Sequence, residues 1–163
     1  MASRHAVTPP DVPNNTVVNN LSIVVVADAS LRRRCHAILA AEHITSRGAT
    51  LAGARRVLRR YRPNVLLLDA TRSPRRALAA LPPLRRLSRN AGVLLLGRRR
   101  ASGTLLVEAA CRGAWGHLAA RDLSRDLPKA VRMVADRQCW LPRRLSAAIV
   151  AELIRRSRVA ERN

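Results

Sequence analysis

The sequence predicts an α/β fold in which a doubly wound parallel sheet carries helices on both faces. Short apolar runs without polar alternation, typical of strands buried on both faces, recur along the chain. Segments in which apolar residues have helical spacing separate these runs, so that strands and helices alternate as five pairs. This alternation favours a parallel sheet, and right-handed crossovers then place helices on both sides of it.

Five strands are predicted from β-branched and leucine-rich runs. They span residues 23–26, 44–50, 65–68, 92–97 and 115–118. The second is the weakest of the five, because its sequence contains no continuous apolar run.

The helices are predicted from apolar residues three and four positions apart. The first begins at Ser30, which we expect to be its N-cap, and the others span 51–61, 75–87, 102–112 and 123–137. Pro82 and Pro83 lie inside the third helix. They should break or kink it, because proline lacks an amide donor and its ring clashes with the preceding turn.

Two acidic residues come directly after predicted strands. Asp28 follows the first strand and Asp69 follows the third. In open parallel sheets, functional sites lie beyond the carboxyl ends of the strands, so both residues are site candidates. A structural alternative is that Asp69 only caps the turn that follows it.

The chain divides into three predicted parts. Residues 1–20 read as a disordered arm, 21–137 as one domain, and 138–163 as a linker with an amphipathic helix at 143–158 that either packs on the domain or contacts a partner. Cys35, Cys111 and Cys139 lack metal-ligand spacing and are expected to be reduced core residues. Without a signal peptide or an apolar membrane span, the sequence predicts a cytoplasmic protein.

The formal net charge of +21 is carried almost entirely by arginine. Such a charge attracts polyanions, although a GC-rich genome would also favour arginine over lysine. The candidate polyanion-binding residues are Arg98, Arg99, Arg100, Arg143, Arg144, Arg155 and Arg156. The chain has only two tryptophans and one tyrosine, so few aromatic side chains are available to stack on bases. Any nucleic-acid binding should therefore be directed at phosphates and independent of sequence.

Three segments resemble the receiver domain of two-component response regulators. They are residues 24–33, 62–69 and 110–118, and residues 135–145 resemble the exit from the last receiver helix in the NarL/FixJ class, whose receivers precede a LuxR-type helix-turn-helix domain. The resemblance covers residues 22–157 and implies a flavodoxin-like, CheY-like (βα)5 sheet of strand order 2-1-3-4-5 with an extra C-terminal helix. No DNA-reading domain is expected after that helix.

The resemblance also implies where phosphorylation chemistry would lie. Asp69 matches the phosphoacceptor of the family, and Asp28 matches the second member of an acidic pair that helps to hold Mg²⁺. Ala27 stands where the first member of the pair would be. Because Mg²⁺ dehydrates reluctantly and needs several carboxylates, Asp28 and Asp69 are expected to form only a weak magnesium site.

The positions that couple phosphorylation to a conformational switch are altered as well. Gly97 stands where the family has a Thr or Ser that bonds the phosphoryl group, and Ala120 where it has a Lys, with Arg121 adjacent. His117 aligns with the aromatic residue that moves on activation, and we expect a buried or half-buried structural histidine there.

These substitutions predict an atypical receiver that acts in signalling or transcriptional regulation independently of Asp phosphorylation. It would need no cofactor and would not be an enzyme. The resemblance implies that it binds a protein partner or forms homo- or heterodimers through its fourth and fifth helices, at 102–112 and 123–137. Two alternatives remain open: a conventional phosphorelay receiver phosphorylated at Asp69, and a basic protein that binds nucleic acid non-specifically.

Overall fold

A computed structural model describes residues 21–161. Strands and helices alternate along the chain as β1 (Ser22–Val26), α1 (Ala29–Ala41), β2 (Thr45–Ala49), α2 (Ala54–Tyr61), β3 (Val65–Asp69), α3 (Pro74–Leu87), β4 (Gly92–Gly97), α4 (Gly103–Cys111), β5 (Ala114–Ala119), α5 (Leu123–Ala135) and α6 (Ser146–Ala160). The predicted arm at 1–20 lies outside the described residues. Within residues 21–161, no helix is both long and apolar enough to cross a membrane.

The five strands form one parallel sheet in the order β2-β1-β3-β4-β5. The doubly wound fold and the strand order predicted from the sequence are therefore confirmed. Apolar side chains alternate between the two faces of the sheet, so that Val25 and Leu67 belong to one core cluster while Val24 and Leu66 belong to the other. Both clusters are buried by helices, which explains why the central strands read as continuous apolar runs.

Pro82 and Pro83 were predicted to break or kink the third helix; they do not break it, because α3 runs from Pro74 to Leu87 through both residues. Proline at position 82 leaves the carbonyl of Leu78 without its usual amide donor. The Nη1 atom of Arg112 donates to that carbonyl oxygen at 3.4 Å. A side chain that is distant in sequence thus replaces part of the missing helical hydrogen bonding.

Two predicted helix starts also need correction. Asp28, not Ser30, caps α1: its Oδ1 accepts a hydrogen bond of 2.9 Å from the amide of Leu31. Helix α2 begins at Ala54 and not at 51, because residues 51–53 form a turn in which Thr50 Oγ1 accepts from the amide of Gly53 at 3.2 Å.

The segment that leaves α5 returns along the free edge of β5. The amide of Trp140 donates to the carbonyl of Trp115 at 2.9 Å, and the amide of His117 donates to the carbonyl of Trp140 at 3.2 Å. Chain 138–142 was predicted as an extended link, and this pairing adds a single parallel bridge to the sheet edge at Gly116. Beyond a short 3-10 turn, α6 packs against α4.

The cysteines differ in exposure. Cys35 is fully buried, as predicted, and Cys111 is half-buried. Cys139 is exposed, which corrects its prediction as a core residue, because it lies in the segment that runs along the outside of β5.

Candidate functional site

Asp28 and Asp69 meet at the carboxyl edge of the sheet, as their positions after two neighbouring strands predict. The amide of Asp28 donates to Oδ2 of Asp69 at 3.4 Å. Both residues are partly accessible, and they line a cavity of about 250 Å³ that lies between the ends of β1 and β3. The structure thus brings the two predicted acids into one candidate site.

The Asp69 carboxylate is already bonded within the protein. Its Oδ1 atom accepts hydrogen bonds from the amide of Thr71 at 2.8 Å and from the hydroxyl of Thr71 at 2.6 Å. This is the local turn geometry that Asp commonly forms with the residue two positions on. The structural alternative raised for Asp69, a cap on the following turn, is therefore realised at one of its two oxygens.

The Asp28 carboxylate is also in use. Its Oδ1 caps α1, and its Oδ2 lies 3.4 Å from Nε of Arg72. The hydrogen bond from the amide of Leu31, with a smaller contribution from the Arg72 charge, lowers the pKa of Asp28 below its ordinary value. Since the Arg72 side chain is 84% exposed, the ion pair adds little to stability.

These residues fit a magnesium ion poorly. Ala27 contributes no oxygen from its side chain, and both carboxylates spend an oxygen on bonds inside the protein. The Arg72 guanidinium supplies a positive charge beside Asp28. Among the described residues, no group of three or more potential ligand side chains could hold a metal ion. The donor set thus lacks the several hard oxygen ligands that Mg²⁺ needs.

Gly97 and His117 form a second feature of the same edge. A Cβ atom at position 97 would overlap Nε2 of His117 and lie 2.8 Å from its Cε1. The imidazole therefore occupies the space into which a side chain at position 97 would project. The ring is half-buried, as the sequence predicts, and burial lowers the pKa of His117.

The end of β5 supplies no amine to the site. Ala120 begins a 3-10 turn and Arg121 is exposed, with its Nε 3.8 Å from Oδ2 of Asp122. The sequence proposed Arg121 as a substitute for a missing lysine, and the structure directs its guanidinium toward Asp122.

A second cavity, of about 270 Å³, opens beyond the end of β4, and we call it the β4 cavity. Gly97, Thr71, Ser102, His117 and the three arginines 98–100 line it together with apolar side chains of α3, β4 and α4. A third cavity, of about 520 Å³, lies beneath the C-terminal segment and brings Arg100 together with Arg143 and Arg144. Arg155 and Arg156 line none of these three cavities, and both pair with Glu152 on α6.

The sequence did not indicate the roles of Thr71 and Arg72, nor the contact of His117 with Gly97. The bond from the Thr71 amide could have been expected, because Asp side chains commonly accept from the backbone two residues on, but this pattern does not indicate the bond from the hydroxyl. Two contacts depend on which strands are neighbours: that of Arg72 with Asp28 and that of His117 with Gly97. The residue types at these positions do not indicate which strands are neighbours.

The strands and helices of residues 21–161 have the fold of response regulator receiver domains. Among solved structures, the isolated receiver domain of RcsB from Salmonella enterica serovar Typhimurium has a TM-score of 0.67 and 14% identity, covering 79% of this chain and 98% of that one. A LuxR family DNA-binding response regulator from Silicibacter pomeroyi has a TM-score of 0.64 and 23% identity, covering 76% and 98%.

A third similar structure is a two-component response regulator of the LuxR family from Aurantimonas sp. SI85-9A1, with a TM-score of 0.62 and 18% identity over 82% of this chain and 97% of that one. Neither a protein-family model nor a curated protein matches the sequence. At identities this low, the structural similarity establishes the fold, and function has to be argued from the residues of the site.

Proposed function

We propose that this chain is an atypical receiver module of a two-component-type regulatory system. It acts in the cytoplasm through contacts with proteins, without phosphorylation of Asp69 and without an enzymatic activity of its own. One observation carries the proposal: at the carboxyl edge of a receiver fold, both acids are bonded within the protein, while Gly97 and Ala120 offer no side-chain donor.

The chemistry of phosphoryl transfer explains why this observation matters. A carboxylate repels an incoming phosphoryl group, so the reaction depends on positive charge and hydrogen-bond donors that are positioned to offset the negative charge. Here Oδ1 of Asp69 holds two hydrogen bonds from Thr71, and the cation nearest to Asp28 is the exposed guanidinium of Arg72. These groups support a static polar cluster better than a phosphoacceptor site.

Protein contacts on the α4 and α5 side would involve the C-terminal helix, because α6 packs against α4. One face of α4 is covered by α6, so a partner that approaches the α4 and α5 side meets α5 and the outer face of α6. That outer face exposes Val150, Leu153 and Ile154 by 44–54%. We expect homo- or heterodimers to form here, and sedimentation of the chain with and without residues 146–163 would test this expectation.

Intact mass spectrometry tests phosphorylation directly. The protein is incubated with Mg²⁺ and acetyl phosphate, beside an Asp69→Asn variant and, as a matched control, an Asp136→Asn variant at an exposed position remote from the site. We expect no added phosphoryl group in any of the three, with circular dichroism showing that each is folded. One phosphoryl group in the parent and in Asp136→Asn, and none in Asp69→Asn, would contradict the proposal and identify a conventional receiver phosphorylated at Asp69.

A second candidate function, non-specific binding of nucleic acid, is favoured by the convergence of Arg100, Arg143 and Arg144 on one cavity. Binding of this kind would be directed at phosphates, so its affinity should fall steeply with salt and be equal for unrelated duplexes. Fluorescence anisotropy with two unrelated duplexes at several salt concentrations measures both properties. A preference for one duplex that persisted at high salt would exclude this version.

A further inference from the structure

The β4 cavity has the composition of a small-molecule site. Its walls are apolar and come from three elements: Pro74 and Leu78 of α3, Leu95 of β4, and Leu105 of α4. Polar groups occur at a few positions around them, namely at Thr71, Ser102 and His117. Ligand pockets typically combine predominantly apolar walls with a small number of convergent polar groups.

The mouth of this cavity is cationic and contains no acid. Arg98, Arg99 and Arg100 all line it, and no Asp or Glu does. Within residues 21–161, no carboxylate lies within ion-pair distance of these three guanidinium groups, whereas Arg72 at the neighbouring cavity is paired with Asp28. Guanidinium groups form short, charge-assisted hydrogen bonds to carboxylates, often in pairs. An anionic group at the mouth would therefore meet donors that no carboxylate of the described chain occupies.

Gly97 and His117 shape the inner end of the cavity. The half-buried imidazole lies over the glycine and lines the cavity. Thr71 lines the same cavity and donates its hydroxyl to Oδ1 of Asp69. A molecule in the cavity would thus contact the residue that holds the Asp69 carboxylate.

We propose that the β4 cavity binds a small organic carboxylate, whose apolar body lies against Leu78, Leu95 and Leu105 and whose anionic group contacts the arginines at 98–100. The cavity volume of about 270 Å³ lies just below the usual lower limit of about 300 Å³ for ligand pockets. This size suits a single ring or a short alkyl chain. The proposal is independent of the signalling function, because it requires only the cavity and its charges.

Isothermal titration calorimetry with probes of defined chemistry tests the proposal. Benzoate and hexanoate carry both an apolar body and a carboxylate; benzyl alcohol lacks the charge, benzylammonium reverses it, and acetate and inorganic phosphate lack the apolar body. We expect benzoate or hexanoate to bind the full chain at least about tenfold more tightly than the other probes, because only these two use both parts of the site.

Two variants locate the binding. Arg98→Gln/Arg99→Gln/Arg100→Gln should weaken carboxylate binding by about tenfold or more. The matched variant Arg55→Gln/Arg56→Gln/Arg59→Gln removes the same charge from the exposed face of α2 and should change affinity by less than about twofold. Ala101→Trp, a loop substitution at the cavity lining, should abolish binding by filling the space without altering the core.

Several outcomes would overturn the proposal. It fails if no carboxylate binds the folded parent, or if acetate and phosphate bind as well as benzoate, since either result would leave only general attraction of anions to a basic surface. It also fails if the α2 variant loses as much affinity as the variant at 98–100, or if Ala101→Trp binds benzoate normally.

Discussion

The contact between Gly97 and His117 makes a sharp prediction about the substitution Gly97→Ala. The added methyl group would overlap the imidazole of His117 and lie 3.2 Å from the carbonyl oxygen of Arg99. Both residues lie at the carboxyl edge of the sheet, where His117 pairs with Leu95, two positions before Gly97 on the neighbouring strand. The ring must therefore move, or the strands must separate slightly, to accept the methyl group.

The effect of Gly97→Ala on the free energy of unfolding should depend on whether the His117 ring is present. Overpacking by one methyl group costs about 1–3 kcal/mol of stability when the surroundings cannot move freely. Gly97 has no positive φ, so alanine fits its backbone; without the ring only the Arg99 carbonyl oxygen, at 3.2 Å, would remain close, and the substitution should change stability by no more than about 1 kcal/mol. The unfolded-state gain from alanine is the same with and without the ring and cancels, so the coupling energy between the two positions should be roughly 1–3 kcal/mol.

Urea denaturation of four proteins measures this coupling: the parent, Gly97→Ala, His117→Ala and the double variant. Substitution effects that add to within about 0.5 kcal/mol would refute the contact. Nuclear magnetic resonance titration gives an independent readout. If the methyl group displaces the imidazole into solvent, the pKa of His117, which burial now lowers, should rise toward its ordinary value.

Three further predictions concern stability and reactivity. Gly92→Ala should lower the free energy of unfolding by about 1–3 kcal/mol, because the added carbon would overlap Val134 Cγ1 and lie 3.0 Å from the Val134 carbonyl oxygen. An unchanged midpoint of urea denaturation would contradict this close approach of α5 to β4. Burial lowers the pKa of His36 and of His117 below 6.5, so the unfolded chain binds more protons; stability should fall as pH drops from 7 through 6.5, and a flat profile between pH 7 and 5 would contradict it. Burial raises the pKa of the Cys35 thiol to about 12, so mass spectrometry should find it unlabelled by iodoacetamide at pH 8 until the protein unfolds.

The sequence alone determined the sheet and the position of its acids. The runs at 65–68 and 92–97 could be read as buried strands because both faces of a doubly wound sheet are covered by helices, which leaves no polar alternation along the strand. The strand patterns marked Asp28 and Asp69 as site candidates, and the resemblance to receiver domains implied that they share one site, because its strand order makes the first and third strands neighbours. The helix at the C-terminus was also predicted, from its apolar spacing.

Local sequence patterns predicted the ends and breaks of helices less well than they predicted the strands. Ser30 and Asp28 are both good N-cap residues, and the geometry of the turn after β1 selects Asp28. Two consecutive prolines normally end a helix, but α3 continues because the helix packs in the core and Arg112 donates to the carbonyl of Leu78. Propensity is a weak guide where tertiary contacts supply the missing bonds.

Only the tertiary structure decided how the site is assembled. The positive charge beside Asp28 is supplied by Arg72, which comes from the loop after another strand. Whether position 97 has room for a side chain depends on His117, twenty residues later in the sequence and on the next strand. Pairing between non-adjacent segments sets these contacts, and the residue types at positions 72, 97 and 117 do not by themselves indicate them.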